Sequence, residues 1–225
     1  IKACQRHSIA IDAWWFPTEF NDEAKLILAT IERHHITPQL WITGGGMPVK
    51  SAEEQNARVD AEVRRIRPIA EAAATIGCKV GLYNHENWFG DPDNQIAILR
   101  NLNMRNVGIV YNFHHAFADV DRFEELFMRI KPYLLAVNVN GMVRNGNKTG
   151  QQIMPIGQGQ LELGWLRFVR NSGWHGPIGI LNHTGEDAEA RLRDNLEGLG
   201  WLVQQLDGQT AGIRPTPRSW RPQPK

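Results

Sequence analysis

Val80-Gly81-Leu82-Tyr83-Asn84-His85 is an apolar run of strand length that ends in an amide and an imidazole. Three later stretches close in a related way: Gly108-Ile109-Val110-Tyr111-Asn112-Phe113-His114-His115, Leu135-Ala136-Val137-Asn138-Val139-Asn140 and Gly179-Ile180-Leu181-Asn182-His183. A segment with helical periodicity precedes each run. Strands alternating with helices give a parallel sheet covered by helices, with right-handed crossovers. Polar side chains at the ends of successive parallel strands gather at one edge of such a sheet, where these folds carry their chemistry.

Working outward, residues 9–16 read as a strand broken by Pro17, and Asn21 caps a helix over 22–35 with Ile27, Leu28 and Ile31 inward. A strand at 39–43 runs into Gly44-Gly45-Gly46, which lacks the lysine of a phosphate loop. Ser51-Ala52-Glu53-Glu54 is a capping box. The helix behind it carries Val59, Val63, Ile66, Ala70 and Ala73 on one face, is predicted to kink at Pro68, and ends at Gly77. After the strand at 79–84, Asp91-Pro92 is a strong helix start. The strand at 107–112 is followed by a helix opening at Asp121 with Glu124, its stripe being Phe123, Leu126, Phe127 and Ile130. A strand at 134–139, a polar loop at 141–152, a helix over 162–172 and a strand at 177–182 follow. The last helix, 187–206, shows Leu192, Leu196, Leu199, Val203 and Leu206 on one face.

These are six strand–helix units. No Gly-x-Gly-x-x-Gly follows a strand, which disfavours an open dinucleotide-binding sheet, and polar residues after at least four strands favour a barrel mouth. A full (β/α) barrel has eight units. About two are expected to precede Ile1, and Ile1 to His7 reads as the last turns of a helix. An open six-stranded sheet would expose two apolar edges, to be covered by preceding residues, an oligomer or the tail. The barrel domain spans 1–208 and a proline-rich extended tail spans 209–225.

With 42% apolar and 22% charged residues the chain has the composition of a soluble globular domain. A net charge of +1 gives no electrostatic case for a nucleic-acid or anionic-membrane partner, and no apolar stretch approaches the length of a membrane span. Cys4 and Cys78 read as two buried thiols rather than a disulfide framework, and they leave the compartment open.

Lys79 to Gln95, Asn106 to His115, Pro155 to Trp165 and Gly179 to Leu202 resemble the xylose isomerase-like TIM-barrel family, the sugar isomerase and epimerase superfamily that also holds endonuclease IV-type enzymes. The resemblance covers nearly the whole chain and implies that it starts near the third strand. Epimerase-type members place a divalent cation among Glu, Asp, His and Glu at successive strand ends. Carried over, those positions fall on Tyr83, Asn112, Asn138 or Asn140, and Asn182, none of which keeps the ligand type. A family histidine three residues after the Asp is retained as His115, and a family Gly-x-Gly-x-hydrophobic-Asp segment is present as Gly157-Gln158-Gly159-Gln160-Leu161-Glu162. A hard cation wants anionic oxygen, which an asparagine carbonyl does not offer. Amides suit sugar hydroxyls instead.

The chemistry then falls to imidazole. His85, His115 and His183 are the candidates for acid–base work or for holding a divalent transition metal, with His114 and Glu86 beside them. Tyr83, Asn84, Asn112, Asn138, Asn140 and Asn182 are candidates for binding a small-molecule carbohydrate, with Trp41 or Trp88 against its apolar face. The bland alternative is that Asn and His cap helix starts and satisfy loop backbone. The resemblance implies a sugar isomerase or epimerase. A lyase or hydratase acting on an oxidised sugar is the rival, and a binding barrel that has lost its metal is the third reading. Phosphodiester hydrolysis is disfavoured by the missing carboxylates and positive charge. A homo-oligomer is left open.

Overall fold

The computed structural model describes residues 1–182 and 185–220. Six strands form one sheet in sequence order: β1 (Ala13–Trp15), β2 (Gln39–Ile42), β3 (Lys79–Tyr83), β4 (Val107–Asn112), β5 (Leu134–Val139) and β6 (Ile178–Ile180). The pairings of β1 with β2, β2 with β3, β3 with β4 and β5 with β6 are parallel. The helices are α1 (Lys2–Arg6), α2 (Asp22–Arg33), α3 (Ala52–Thr75), α4 (Asn87–Gly90), α5 (Pro92–Leu102), α6 (Phe123–Ile130), α7 (Glu162–Asn171) and α8 (Ala188–Leu206). No described helix is long and apolar enough to cross a membrane. The chain divides into two compact units, Ile1–Val110 with Tyr133–Leu135, and Tyr111–Pro132 with Ala136–Lys225.

In the first unit the two-residue period of the strands separates two environments. Leu40 and Ile42 are in register with Val80 and Leu82, Leu82 is in register with Ile109, and all five are fully buried. The alternate set, Gln39, Trp41 and Tyr83, belongs to the opposite face. Asn21 accepts from the Ala24 amide, Ser51 from Glu54 and Asp91 from Asp93, which fixes the starts of α2, α3 and α5 as their sequences predict. Pro68 does not end α3, which runs through it to Thr75. The strand predicted at 9–16 pairs only over Ala13–Trp15, with Ile9 exposed. Cys78 is buried, whereas Cys4 is only half-buried, because no residue of the short α1 is buried.

In the second unit an aromatic cluster forms the core of α6 and α7. Phe123 stacks on Trp165 with ring centroids 3.9 Å apart, and Phe113 meets the same indole edge-on at 4.8 Å. Asp121 does not cap α6. The capping position is Arg122, without a side-chain cap, and Asp121 pairs with Arg144 at the surface. Asp119, just before this helix, is buried instead and accepts from the Tyr111 hydroxyl and from Arg122.

The leucine stripe of α8 is not its buried face. Leu192, Leu196 and Val203 are exposed, and the buried residues are Arg191, Asp194, Asn195, Gly198 and Leu202. Arg191, Asn195 and Gly198 meet the 153–159 loop, and Asp194 meets the tail at Arg218 and Ser219. Backbone meets backbone at Gly198, where a Cβ would overlap the Ile156 carbonyl, and Gly157 opposite has a φ of +82°. We therefore expect Gly198→Ala to destabilise the chain by about 1–3 kcal/mol, since overpacking against backbone has no side chain to yield. Gly200→Ala, two residues along with open space around its Cβ, is expected to stabilise by up to about 1 kcal/mol through helix propensity. Urea unfolding of the two variants checks both signs.

Candidate functional site

The first unit contributes aromatic surface at its strand ends. Trp15 and Trp41 are register partners with ring centroids 5.9 Å apart, and Tyr83 lies 4.7 Å from Trp15 and 5.7 Å from Trp41. Trp41 donates its indole N–H to Gln39, whose amide donates in turn to the Leu135 carbonyl. This chain of bonds fixes the ring plane. Trp15 is 56% exposed, so the cluster presents an open indole of the kind that suits the apolar face of a sugar ring. Trp15 lies within the strand read at 9–16 but is not among the binding residues expected from the sequence. The signal was its parity with Trp41, visible once the register is fixed.

Other candidates of this unit are placed differently. Asn84 is buried and His85 is exposed, the chain turning sharply as the His85 amide donates to the Tyr83 carbonyl. Trp88 is buried, gives its indole N–H to Gln55 on α3 and lies under the Arg58 guanidinium.

The second unit contributes amides and imidazoles. Asn112 closes β4 fully buried, and its Oδ1 accepts from the His114 amide at 3.0 Å, capping the short 3-10 turn Phe113–His115. That turn sets the rings of His114 and His115 at 4.1 Å centroid separation. Asn140 donates to the Gly141 and Gln152 carbonyls, and Asn182 accepts from Asn195, whose own Oδ1 accepts from the Ile156 amide. Loop satisfaction therefore occupies much of the amide set. Asn138 is the exception. It is 5% exposed, its side chain makes no hydrogen bond among the described residues, and it leans over Gly179, where a Cβ would overlap its Oδ1. His183 lies outside the described residues.

Gly157 to Glu162 is held as a rigid loop from two sides. Glu162, buried, accepts from the Gly159 and Met142 amides at 2.7 and 3.2 Å. Burial pushes its carboxyl above the ordinary value, against the opposing pull of those amides and of Arg214. The tail crosses the other side. Arg214 donates to the Gly157 and Gly159 carbonyls, Gln158 to the Pro215 carbonyl, and Asp194 accepts from the amides of Arg218 and Ser219, the Ser219 hydroxyl and the Arg218 guanidinium.

Among the described residues no group of three or more His, Cys, Asp or Glu side chains is arranged to hold a metal ion. Tyr83, Asn112, Asn138, Asn140 and Asn182 offer only uncharged oxygen and nitrogen, so these positions do not fit a hard divalent cation.

The sequence matches the family described as xylose isomerase-like TIM barrel over residues 18–205. No functionally curated protein matches. Solved structures with the same fold include the 3-keto-D-glucoside 4-epimerase YcjR from E. coli, at 14% identity and a TM-score of 0.63 over 90% of this chain and 82% of that one. The IOLI protein with a bound zinc atom aligns at 16% identity and a TM-score of 0.65, over 88% of this chain and 76% of its own. A probable 3-DHS dehydratase, AsbF, from Bacillus anthracis aligns at 15% identity and 0.64, over 88% and 79%.

The tail clamp has a pH signature. Burial raises the Asp194 carboxyl, but Ser219 and Arg218 outweigh it and hold the group below its ordinary value of 3.8. A lowered folded value means that stability is present above the unfolded value and lost as pH falls through the folded one. Asp194→Asn is expected to lower stability at neutral pH by about 1–3 kcal/mol and to flatten the loss between about pH 5 and pH 2. Denaturant unfolding across that range measures both. Glu162 acts in the opposite sense, its ionisation costing stability as pH rises through its raised value.

Proposed function

The chain belongs to the xylose isomerase-like TIM-barrel family, and from that premise we propose that it is a carbohydrate-active enzyme related to sugar isomerases and epimerases, acting on a sugar or keto-sugar at the ends of its strands. The observation that carries this reading is Asn138. Its amide offers both a donor and an acceptor, it stands at the end of β5 without a partner among the described residues, and the missing side chain at Gly179 leaves it room. An amide kept bare in a nearly closed position is what a hydroxyl-bearing ligand needs. Within the first unit, Trp15, Trp41 and Tyr83 form an apolar surface of their own.

His115 is the residue proposed to move the proton, with His85 and His183 as the further candidates. Imidazole titrates near neutral pH and serves either as base or as acid. The carbon next to a ketone carries a proton acidic enough for such a base, which makes a keto-sugar the favoured substrate. No step of this scheme passes through a metal. Dehydration of an oxidised sugar is the second reading. It is favoured by the same uncharged side chains at Tyr83, Asn112, Asn138 and Asn182, because it too begins with a proton taken from beside a carbonyl.

The test is incubation with aldoses, ketoses and keto-sugars in D2O, followed by NMR for exchange, epimerisation or water loss at the carbon next to the carbonyl. His115→Ala is expected to reduce turnover by a factor on the order of 10²–10⁴. Gly179→Ala is expected to act on KM more than on kcat by displacing Asn138. An absence of exchange, isomerisation and dehydration across the panel overturns the enzymatic reading and leaves a sugar-binding one, which calorimetry on the same panel then decides.

A further inference from the structure

Residues 210–219 form no helix or strand, yet the segment is held at both ends. Near its start the Trp201 indole donates to the Gly212 carbonyl at 2.9 Å, and the Arg214 guanidinium lies over the Trp201 ring at 5.6 Å. Near its end the Asp194 carboxylate accepts from the backbone amides of Arg218 and Ser219, from the Ser219 hydroxyl at 2.6 Å and from the Arg218 guanidinium at 3.0 Å. Ile213 is 97% exposed, so apolar burial is not what holds the segment down. Ordering an irregular stretch costs backbone entropy at every residue, and here charge-assisted hydrogen bonds offset that cost.

Between those ends the tail grips the 156–159 loop. Arg214 donates to the Gly157 and Gly159 carbonyls, and Gln158 donates back to the Pro215 carbonyl at 2.7 Å. The same loop is tied to α8 by Asn195, which is fully buried. Asn195 Oδ1 accepts from the Ile156 amide at 2.8 Å, and its Nδ2 donates to Asn182 Oδ1 at 2.6 Å. Asn195 follows Asp194 on the helix, so two successive residues hold the tail and the end of β6. Close packing does not fix the loop by itself. A cavity of about 160 Å³ lies among Arg214, Trp201, Leu202, Glu162 and the two glycines, and Gly198 meets the loop with backbone alone. The Asn195 amide can serve Asn182 only while the Ile156 amide stays in place. Turning it to find another donor takes Nδ2 away from Asn182, and not turning leaves a buried acceptor unmet.

We propose that the 210–219 tail is a strap that positions Asn182. By fixing the 156–159 loop it keeps Asn195 aligned, and Asn195 holds the Asn182 amide where a ligand hydroxyl can meet it. Arg214, Arg218 and Asn195 are positioning residues that act through Asn182. The consequence for ligand affinity rests on the carbohydrate reading above, whereas the coupling from tail to Asn182 needs no ligand.

The experiment compares the full chain with a variant carrying Arg214→Ala and Arg218→Ala, both exposed side chains. In ¹⁵N spectra the side-chain amide resonances of Asn195 and Asn182 are expected to move, and the Ile156 amide to exchange its hydrogen roughly tenfold faster. With whichever sugar the chain turns over, KM is expected to rise about fivefold to tenfold while kcat stays within about twofold. Arg214→Lys with Arg218→Lys, which keeps both charges but loses the planar forks, is expected to recover part of the loss. If the double alanine variant does not fold, Arg214→Ala alone, which leaves the Asp194 contacts in place, carries the same expectations at smaller size. Unmoved Asn195 and Asn182 resonances overturn the strap. Resonances that move without a change in KM overturn its part in binding and leave the carbohydrate reading standing. If the native chain turns over and binds no sugar, that broader reading falls, and the amide resonances alone decide the strap.

Discussion

A buried backbone amide or carbonyl must find a partner, and the second unit is organised around that demand. Between β5 and α7 the chain makes a long excursion that closes on itself through the paired amides and carbonyls of Gly141 and Met154. Part of its backbone pairs with itself, through the 3-10 turn Gly146–Lys148 and bonds such as Gln160 to the Met142 carbonyl, and side chains serve other groups. Asn140 takes the Gly141 and Gln152 carbonyls, Arg191 the Ile153 carbonyl, Asn195 the Ile156 amide, Glu162 the Met142 and Gly159 amides, and Arg214 the Gly157 and Gly159 carbonyls. Remove this set and the loop has no fixed path.

That constraint explains why α8 misleads a reader of hydrophobic periodicity. The leucines recur at the right spacing, yet the face one residue along, with Arg191, Asp194, Asn195 and Gly198, is the buried one. An apolar face would leave the loop backbone unsatisfied. Leu199, Val203 and Leu206 instead line a groove with Ile178 and Ile180 of β6 and Leu166 and Val169 of α7. Periodicity reports an amphipathic helix, but which side meets protein depends on what the neighbouring segment lacks, and an irregular loop lacks hydrogen bonds rather than apolar area.

Strands and local starts were legible because their causes are local. Six apolar runs separated by helical periodicity sufficed for the parallel order, and Asn21, Ser51 and Asp91 cap where their side chains are expected to. Asp121 did not: α6 opens at Phe123 with Arg122 in the capping position, and the Asp121 carboxylate pairs with Arg144 at the surface. The strand-end asparagines were legible as positions but not as roles. Asn112 and Asn182 close β4 and follow β6 as read, and both spend hydrogen bonds on their own surroundings. Nothing in the sequence separates them from Asn138. Gly179 does, and its pairing with Asn138 exists only through the β5–β6 register.

The strand-end asparagines bear on what kind of ligand these positions can hold. An amide without a partner costs little when water can reach it, and Asn138 retains a little exposure. A hard-cation site balances its charge with carboxylate oxygens. Here Tyr83, Asn112, Asn138, Asn140 and Asn182 are neutral. Neutral amides at those positions suit hydrogen bonding rather than coordination of a hard cation.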